Sequence, residues 1–237
     1  KLRILCLHGF TSNGAVHAHQ LRRLTSQLPD YDFLFPSGPH QVNIADQMDM
    51  TTPANQAWSS IVTSASASGH RAWWFARDGD TKSKTGGGFV GIEESLAYLA
   101  AYIQERGPVH AIWGFSQGAC LAGLLCALLQ SKHAAHPLRR YLEAPVDLGI
   151  PTPLAGVVFS GFRARYARYD DLYEPGIDVP VLHVLGEQDA LVRSERSEAL
   201  LRVCKSSERI VHPGGHGIPK GEADMAKIVE FTRKYVR

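Results

Sequence analysis

The sequence predicts an α/β class: a mostly parallel central sheet with helices on both faces. Three observations carry that expectation. Short apolar runs such as Leu2-Arg3-Ile4-Leu5-Cys6-Leu7 and Val179-Pro180-Val181-Leu182-His183-Val184-Leu185 alternate with longer stretches of helical periodicity. Those runs are apolar almost throughout, as strands covered on both sides are. The chain has 237 residues, 44% of them hydrophobic and without internal repeats, enough for one sizeable core, so a single domain over residues 1–237 is expected.

The elements follow in order. After the strand at residues 2–7, Ala18 to Leu28 reads as an amphipathic helix, and Asp32-Phe33-Leu34-Phe35-Pro36 as a strand ended by proline. Ile92 to Glu105 is a strong helix, with Leu96, Leu99, Ala100 and Ile103 on one face and Gly107-Pro108 as its stop. A strand from Val109 runs into a helix of small residues, followed by a polar, proline-bearing loop through Pro153 and a strand over Leu154 to Phe159. The strand to Leu185, a helix over Glu195 to Cys204, a strand ending at His212 and a helix over Asp224 to Tyr235 complete the pattern. Two irregular stretches, 38–91 and 163–175, are expected to roof the site as lid or pocket segments.

The most informative segment is Val109-His110-Ala111-Ile112-Trp113-Gly114-Phe115-Ser116-Gln117-Gly118, an apolar strand running straight into G-x-S-x-G and then a helix. Glycines on either side of Ser116 leave room for a strained turn and for a neighbouring strand. A lone serine is a poor nucleophile and needs a base held by an acid. Downstream, one strand ends in Gly186-Glu187-Gln188-Asp189 and another in His212-Pro213-Gly214-Gly215-His216. The order Ser116, Asp189, His216 is that of α/β-hydrolases, and each residue follows a strand's carboxyl end. Glu187 stands physically level with Asp189, and His212 competes with His216, which the glycines before it favour by giving the loop reach. His8-Gly9-Phe10-Thr11 follows the first strand, where a second oxyanion donor belongs; the Phe10 amide is the first choice and Thr11 the second.

Leu7-His8-Gly9-Phe10, Arg71-Ala72-Trp73-Trp74-Phe75, Gly114-Phe115-Ser116-Gln117-Gly118-Ala119, Ser160-Gly161 and His212-Pro213-Gly214-Gly215-His216 together resemble the FSH family of serine hydrolases, the fungal and OVCA-type α/β-hydrolases. The resemblance runs the length of the chain. It implies an α/β-hydrolase fold, activity on esters and thioesters, and catalytic roles for Ser116, Asp189 and His216 with Phe10 and Gln117 as oxyanion donors. It also implies that some members release polyketide or fatty acyl chains from a carrier protein in fungal biosynthesis. The alternatives are a general short-chain carboxylesterase and a non-catalytic ligand binder on a hydrolase scaffold. The intact residue set argues against the last.

Other features are read more plainly. Trp73, Trp74 and Phe75 are either walls of an apolar acyl pocket or anchors of a long excursion. The arginines of 163–175 could meet an acyl carrier protein or form a solvated face. His17 and His19 lack a cluster to complete a metal site, and Thr85-Gly86-Gly87-Gly88 lacks the Gly-Lys-Ser/Thr of a phosphate loop, so no metal or cofactor is expected. His8 is expected to serve its turn by hydrogen bonding. A net charge of +2 from 25 basic and 23 acidic side chains gives no footprint for nucleic acid. The 4 cysteines lie in apolar surroundings, so buried, reduced thiols and a cytoplasmic compartment are expected. The chain opens on a core strand without an initiator methionine; no signal peptide or membrane span is expected, and trimming would explain the start. Neither oligomeric state nor the natural acyl group is readable.

Overall fold

A computed structural model of the chain describes residues 1–143 and 152–237. Residues 144–151, the later part of the expected loop through Pro153, therefore lie outside the described residues. The elements are β1 (Leu2–Leu7), α1 (Gly14–Thr25), β2 (Tyr31–Leu34), β3 (His40–Gln41), α2 (Ile44–Gln47), α3 (Pro53–Ala65), β4 (Arg71–Ala72), β5 (Phe75–Arg77), β6 (Gly88–Val90), α4 (Ile92–Arg106), β7 (Ala111–Phe115), α5 (Gln117–Leu128), α6 (Arg140–Glu143), β8 (Ala155–Phe159), α7 (Asp170–Tyr173), β9 (Val181–Gly186), α8 (Ser194–Leu201), β10 (Ser207–His212) and α9 (Glu222–Tyr235).

Six strands form one sheet in the order β10-β9-β8-β7-β1-β2, and every neighbouring pair in it is parallel. The central strands β7, β8 and β9 are buried nearly throughout, which is why they read as continuous apolar runs. Side chains alternate between two core layers. Leu5, Leu7, Ile112 and Val158 face α4 and α5, whereas Ile4, Cys6, Trp113, Val157 and Ile210 face α1 and α9. Helix α5 is buried along its whole length, consistent with its lack of a polar face. No helix among the described residues is long and apolar enough to cross a membrane. All 4 cysteines are unpaired and buried.

Several boundaries differ from the expected ones. Helix α1 starts four residues before Ala18, because Asn13 caps it by accepting from the Val16 amide at 3.0 Å, and it stops at Thr25. Strand β2 ends before Phe35, and α8 ends before Cys204. The stretch 38–91 contains ordered structure that the sequence did not reveal. Helix α3 is capped by Thr52 and opened by Pro53, but only Val62 along it is buried, so no apolar stripe announces it.

Three of the histidines buried in the folded chain are held neutral by that burial. Burial holds His8 down to about 3, and holds His17 and His183 at about 4, against an ordinary 6.5. In the unfolded chain each takes up a proton as pH falls through 6.5, while the folded chain binds none until far lower. Folding stability is therefore lost as pH drops. The urea midpoint is expected to fall steadily between about pH 7 and about pH 5; a midpoint constant over that window would contradict the buried neutral state.

Candidate active site

The site is built on the turn between β7 and α5. Ser116 has φ 53° and ψ −112°, a strained backbone for a residue with a side chain. The turn can be this sharp because two glycines let backbone meet backbone. A Cβ at Gly114 would lie 2.2 Å from the Gly118 carbonyl oxygen, and one at Gly118 would lie 2.1 Å from that of Leu7. The Ser116 amide still bonds to the Phe159 carbonyl at 2.9 Å, so the strained residue is held to the sheet.

His216 arrives on the loop after β10. The Gln188 amide donates to the Gly214 carbonyl at 3.0 Å and the Glu187 amide to the His212 carbonyl at 2.8 Å, tying that loop to the turn after β9. Gly186 permits the approach, since a Cβ there would lie 2.2 Å from the Gly215 carbonyl oxygen. His216 Nε2 stands 2.9 Å from Ser116 Oγ, and its Nδ1 stands 2.8 Å from Asp189 Oδ2. Asp189, rather than Glu187, is the carboxylate that reaches the imidazole. His212 instead is buried, with Nδ1 accepting from the Gly214 amide at 3.2 Å.

The Asp189 side chain is only 3% exposed, yet every carboxylate oxygen is satisfied. Oδ1 accepts from the Leu191 and Val192 amides at 3.0 and 2.8 Å, and Oδ2 accepts from Ser160 Oγ at 2.7 Å as well as from His216. Burial pushes the carboxyl up, but the Val192, His216 and Ser160 bonds together outweigh it and hold the group below its ordinary value. Asp189 thus stays ionised and accepting. Ser160 is a residue that sequence reasoning noted only within a motif. Its φ of 48°, just past the end of β8, turns the hydroxyl onto the acid.

The expected oxyanion donors come from two segments, Gln117 next to Ser116 in sequence and Phe10 next to Gly9, where a Cβ would lie 3.5 Å from Ser116 Cβ. Gln117 opens α5, so its amide is one of the orphan donors of a helix start. Among the described residues neither that amide nor the Phe10 amide has a protein acceptor. The Gln117 side chain is fully engaged elsewhere. Its Oε1 accepts from the Trp73 amide and its Nε2 donates to the Trp74 carbonyl, both at 2.9 Å. Thr11, with φ 58°, has its carbonyl occupied by His70 Nδ1 at 2.8 Å and by Trp58 Nε1 at 3.1 Å.

His8 fastens the same region from below. Its Nδ1 donates to the Gly9 carbonyl at 2.7 Å and its Nε2 accepts from the Gly38 amide at 2.8 Å, while Trp73 Nε1 donates to the His8 carbonyl at 2.9 Å. Trp73 and Trp74 are buried, the latter stacked on Phe89 at 4.4 Å. Phe75 keeps partial exposure, and its ring meets that of Phe10 edge-on at 6.2 Å. The two excursions are sewn together: the Phe89 amide donates to Tyr169 Oη at 3.0 Å, the Ala167 amide to the Thr81 carbonyl at 2.8 Å, and Lys84 pairs with Asp171 at 2.9 Å. Tyr166, Tyr169 and Tyr173 are buried, and Arg163 and Arg165 pair with Asp170 and Asp78 at 2.6 and 3.3 Å. His17 is buried and His19 exposed, on different sides of α1.

A parallel sheet with a strained serine between β7 and α5, a histidine beyond β10 and a carboxylate beyond β9 defines the α/β-hydrolase class. Residues 1–228 match the family described as Serine hydrolase (FSH1), and the chain belongs to that family. It is 31% identical to Esterase OVCA2 of Danio rerio over 99% of this chain and 97% of that protein. It is 32% identical, over its whole length, to an uncharacterized hydrolase of Schizosaccharomyces pombe, of which it spans about half, 52%. In structure it is similar to acyl-protein thioesterase 2 of Zea mays, with a TM-score of 0.57 and 16% identity over 100% of this chain and 94% of the other, a likeness of fold alone. Family and relatives support an ester-bond hydrolase.

Ser160→Ala removes one donor from Asp189 Oδ2. Loss of a hydrogen bond to a charged group is worth about 1.5 kcal/mol or more, so kcat is expected to fall about tenfold with KM little changed. Steady-state ester hydrolysis checks it, and a kcat equal to that of the parent would show that Ser160 plays no part in holding the acid.

Proposed function

We propose that the chain hydrolyses carboxylic esters and acyl thioesters through Ser116, His216 and Asp189, with the Phe10 and Gln117 amides holding the oxyanion. The observation that supports this most is the unbroken hydrogen-bond relay from Ser116 Oγ to His216 at 2.9 Å and on to Asp189 at 2.8 Å. In this reading Oγ attacks the acyl carbon while His216 Nε2 takes its proton, and the carbonyl electrons move to oxygen beside the two amides. Collapse breaks the bond to the leaving group, which departs with the proton from Nε2. Water then attacks the acyl-enzyme, His216 taking and returning one proton, and the acid leaves. Asp189 fixes the imidazole tautomer and stabilises its charged form.

A thiol has a pKa near 8.5 and leaves with less need of protonation than an alkoxide, so one site serves both substrate types. Phe10 and Phe75, supported by the buried Trp73 and Trp74, offer an apolar surface for the acyl chain. The family resemblance extends the reading to polyketide or fatty acyl chains on a carrier protein in fungal biosynthesis, with the arginines of 163–175 as the docking rim and the cytoplasm as the compartment. Four buried, unpaired thiols fit a reducing location.

The test is single-turnover acyl transfer followed by intact mass, from acyl-carrier and acyl-N-acetylcysteamine thioesters and from matched oxygen esters. The acyl adduct is expected on the parent protein and absent from Ser116→Ala, whose turnover falls by at least about a thousandfold. Carrier-dependent release identifies an offloading thioesterase, and equal turnover of free short esters a general carboxylesterase. Retained turnover in Ser116→Ala overturns the proposal.

A further inference from the structure

His216 does more than face the serine. It also forms part of the wall of a cavity of about 960 Å³ that opens between α1, the loop after β10 and the start of α9. The wall is strongly basic. Arg22, Arg23 and Lys220 line it, and among the described residues none of them meets a carboxylate. Arg22 Nη1 is placed by the His19 ring at 3.2 Å, and Arg23 Nη1 by the Lys220 carbonyl at 3.0 Å. Asp224 is the one carboxylate among the described residues of the wall.

A second observation points the same way. His212 is 4% exposed, and like Ile210, two residues earlier on β10, its side chain turns towards the layer of α1 and α9. Its Nδ1 accepts from the Gly214 amide, so its proton is on Nε2, and that buried donor has no acceptor among the described residues. A buried donor left unmatched is costly, and His212 belongs to the wall of this cavity.

The side of the site on which this cavity lies decides what it holds. The imidazole protonates the departing atom, so the leaving group must lie within hydrogen-bond reach of His216 Nε2. His216 is the residue that the candidate site and the basic wall share, so the part of the substrate beyond that atom starts beside that wall. We propose that this cavity is a leaving-group subsite, and that the preferred substrates are esters or thioesters whose departing alcohol or thiol carries a phosphate or carboxylate. The inference rests on the serine-hydrolase reading above and adds the substrate class to it.

The test compares substrates with one short acyl chain and different leaving groups. The arms are the coenzyme A thioester, with phosphates on the thiol; the N-acetylcysteamine thioester, which is neutral; an ester of a hydroxy acid, with a free carboxylate; and its neutral amide counterpart. The charged-to-neutral ratio of kcat/KM is read in the parent protein and in the double variant R22E/K220E. Because a folding defect scales both arms alike, it leaves that ratio alone. The ratio is expected to exceed unity in the parent, to shrink with added salt, and to fall about tenfold or more in the variant. A fall confined to the coenzyme A arm assigns phosphate, and one confined to the hydroxy-acid arm assigns carboxylate. A ratio unaffected in both arms overturns the proposal. Binding of free coenzyme A to Ser116→Ala, by calorimetry, separates the two levels. Binding that is weakened by R22E/K220E supports the subsite even if hydrolysis fails, whereas no binding, together with normal hydrolysis of neutral esters and an unaffected hydroxy-acid ratio, overturns the subsite alone.

Discussion

Everything in the site depends on backbone packed against backbone at the Ser116 turn. Gly114 and Gly118 carry no side chain, so β7, β1 and the first turn of α5 approach more closely than a Cβ would allow. That contact lets Ser116 adopt a conformation that is costly for a serine and puts Oγ above the sheet, facing His216. It also leaves the Gln117 amide at the helix start with no protein acceptor. The placement of the Ser116 hydroxyl and the unpaired Gln117 amide are thus products of one packing constraint.

A second layer of hydrogen bonds fixes what surrounds the turn. The Gln117 side chain holds the backbone of Trp73 and Trp74, Ser95 Oγ donates to the Trp73 carbonyl, and Trp73 in turn holds the loop after β1 through the His8 carbonyl. The loop carrying Phe10, the strand carrying Phe75 and the start of α5 are in this way joined through buried polar groups that are satisfied on every side. Such a network is worth most when complete, because each broken member strands a partner out of water. The His8 ring completes it in neutral form, which is why burial rather than charge sets its behaviour.

Much of this was legible in the sequence for a physical reason. Strands buried on both faces write themselves as apolar runs, and a strand-to-helix turn that needs glycines displays them around Ser116. The order of Ser116, Asp189 and His216 follows from the places where strands end. What stayed hidden has equally physical causes. Helix α3 buries a single residue, Val62, and so leaves no periodic stripe. Whether Trp73 and Trp74 wall a pocket or anchor a loop could not be read from composition, since both roles use the same side chains; their burial beside Gln117 is a tertiary fact. The contact between Ser160 and Asp189 spans 29 residues and depends on a left-handed turn after β8 that nothing local in Ser160-Gly161 demands. Between Asp189 and Glu187 the residues by themselves stayed level and the family resemblance alone preferred Asp189; the geometry of the β9 turn brings Asp189 to His216.

The central claim is that the Ser116 nucleophile and the Phe10 and Gln117 amides form one machine around a tetrahedral centre. The measurement that reaches it most directly is a crystal structure of the protein after reaction with an alkyl phosphonofluoridate, whose adduct mimics that centre. The account predicts phosphorus bonded to Ser116 Oγ, with its unsubstituted oxygen about 3 Å from both amide nitrogens. An adduct on another residue, or an oxygen turned away from both amides, would contradict it.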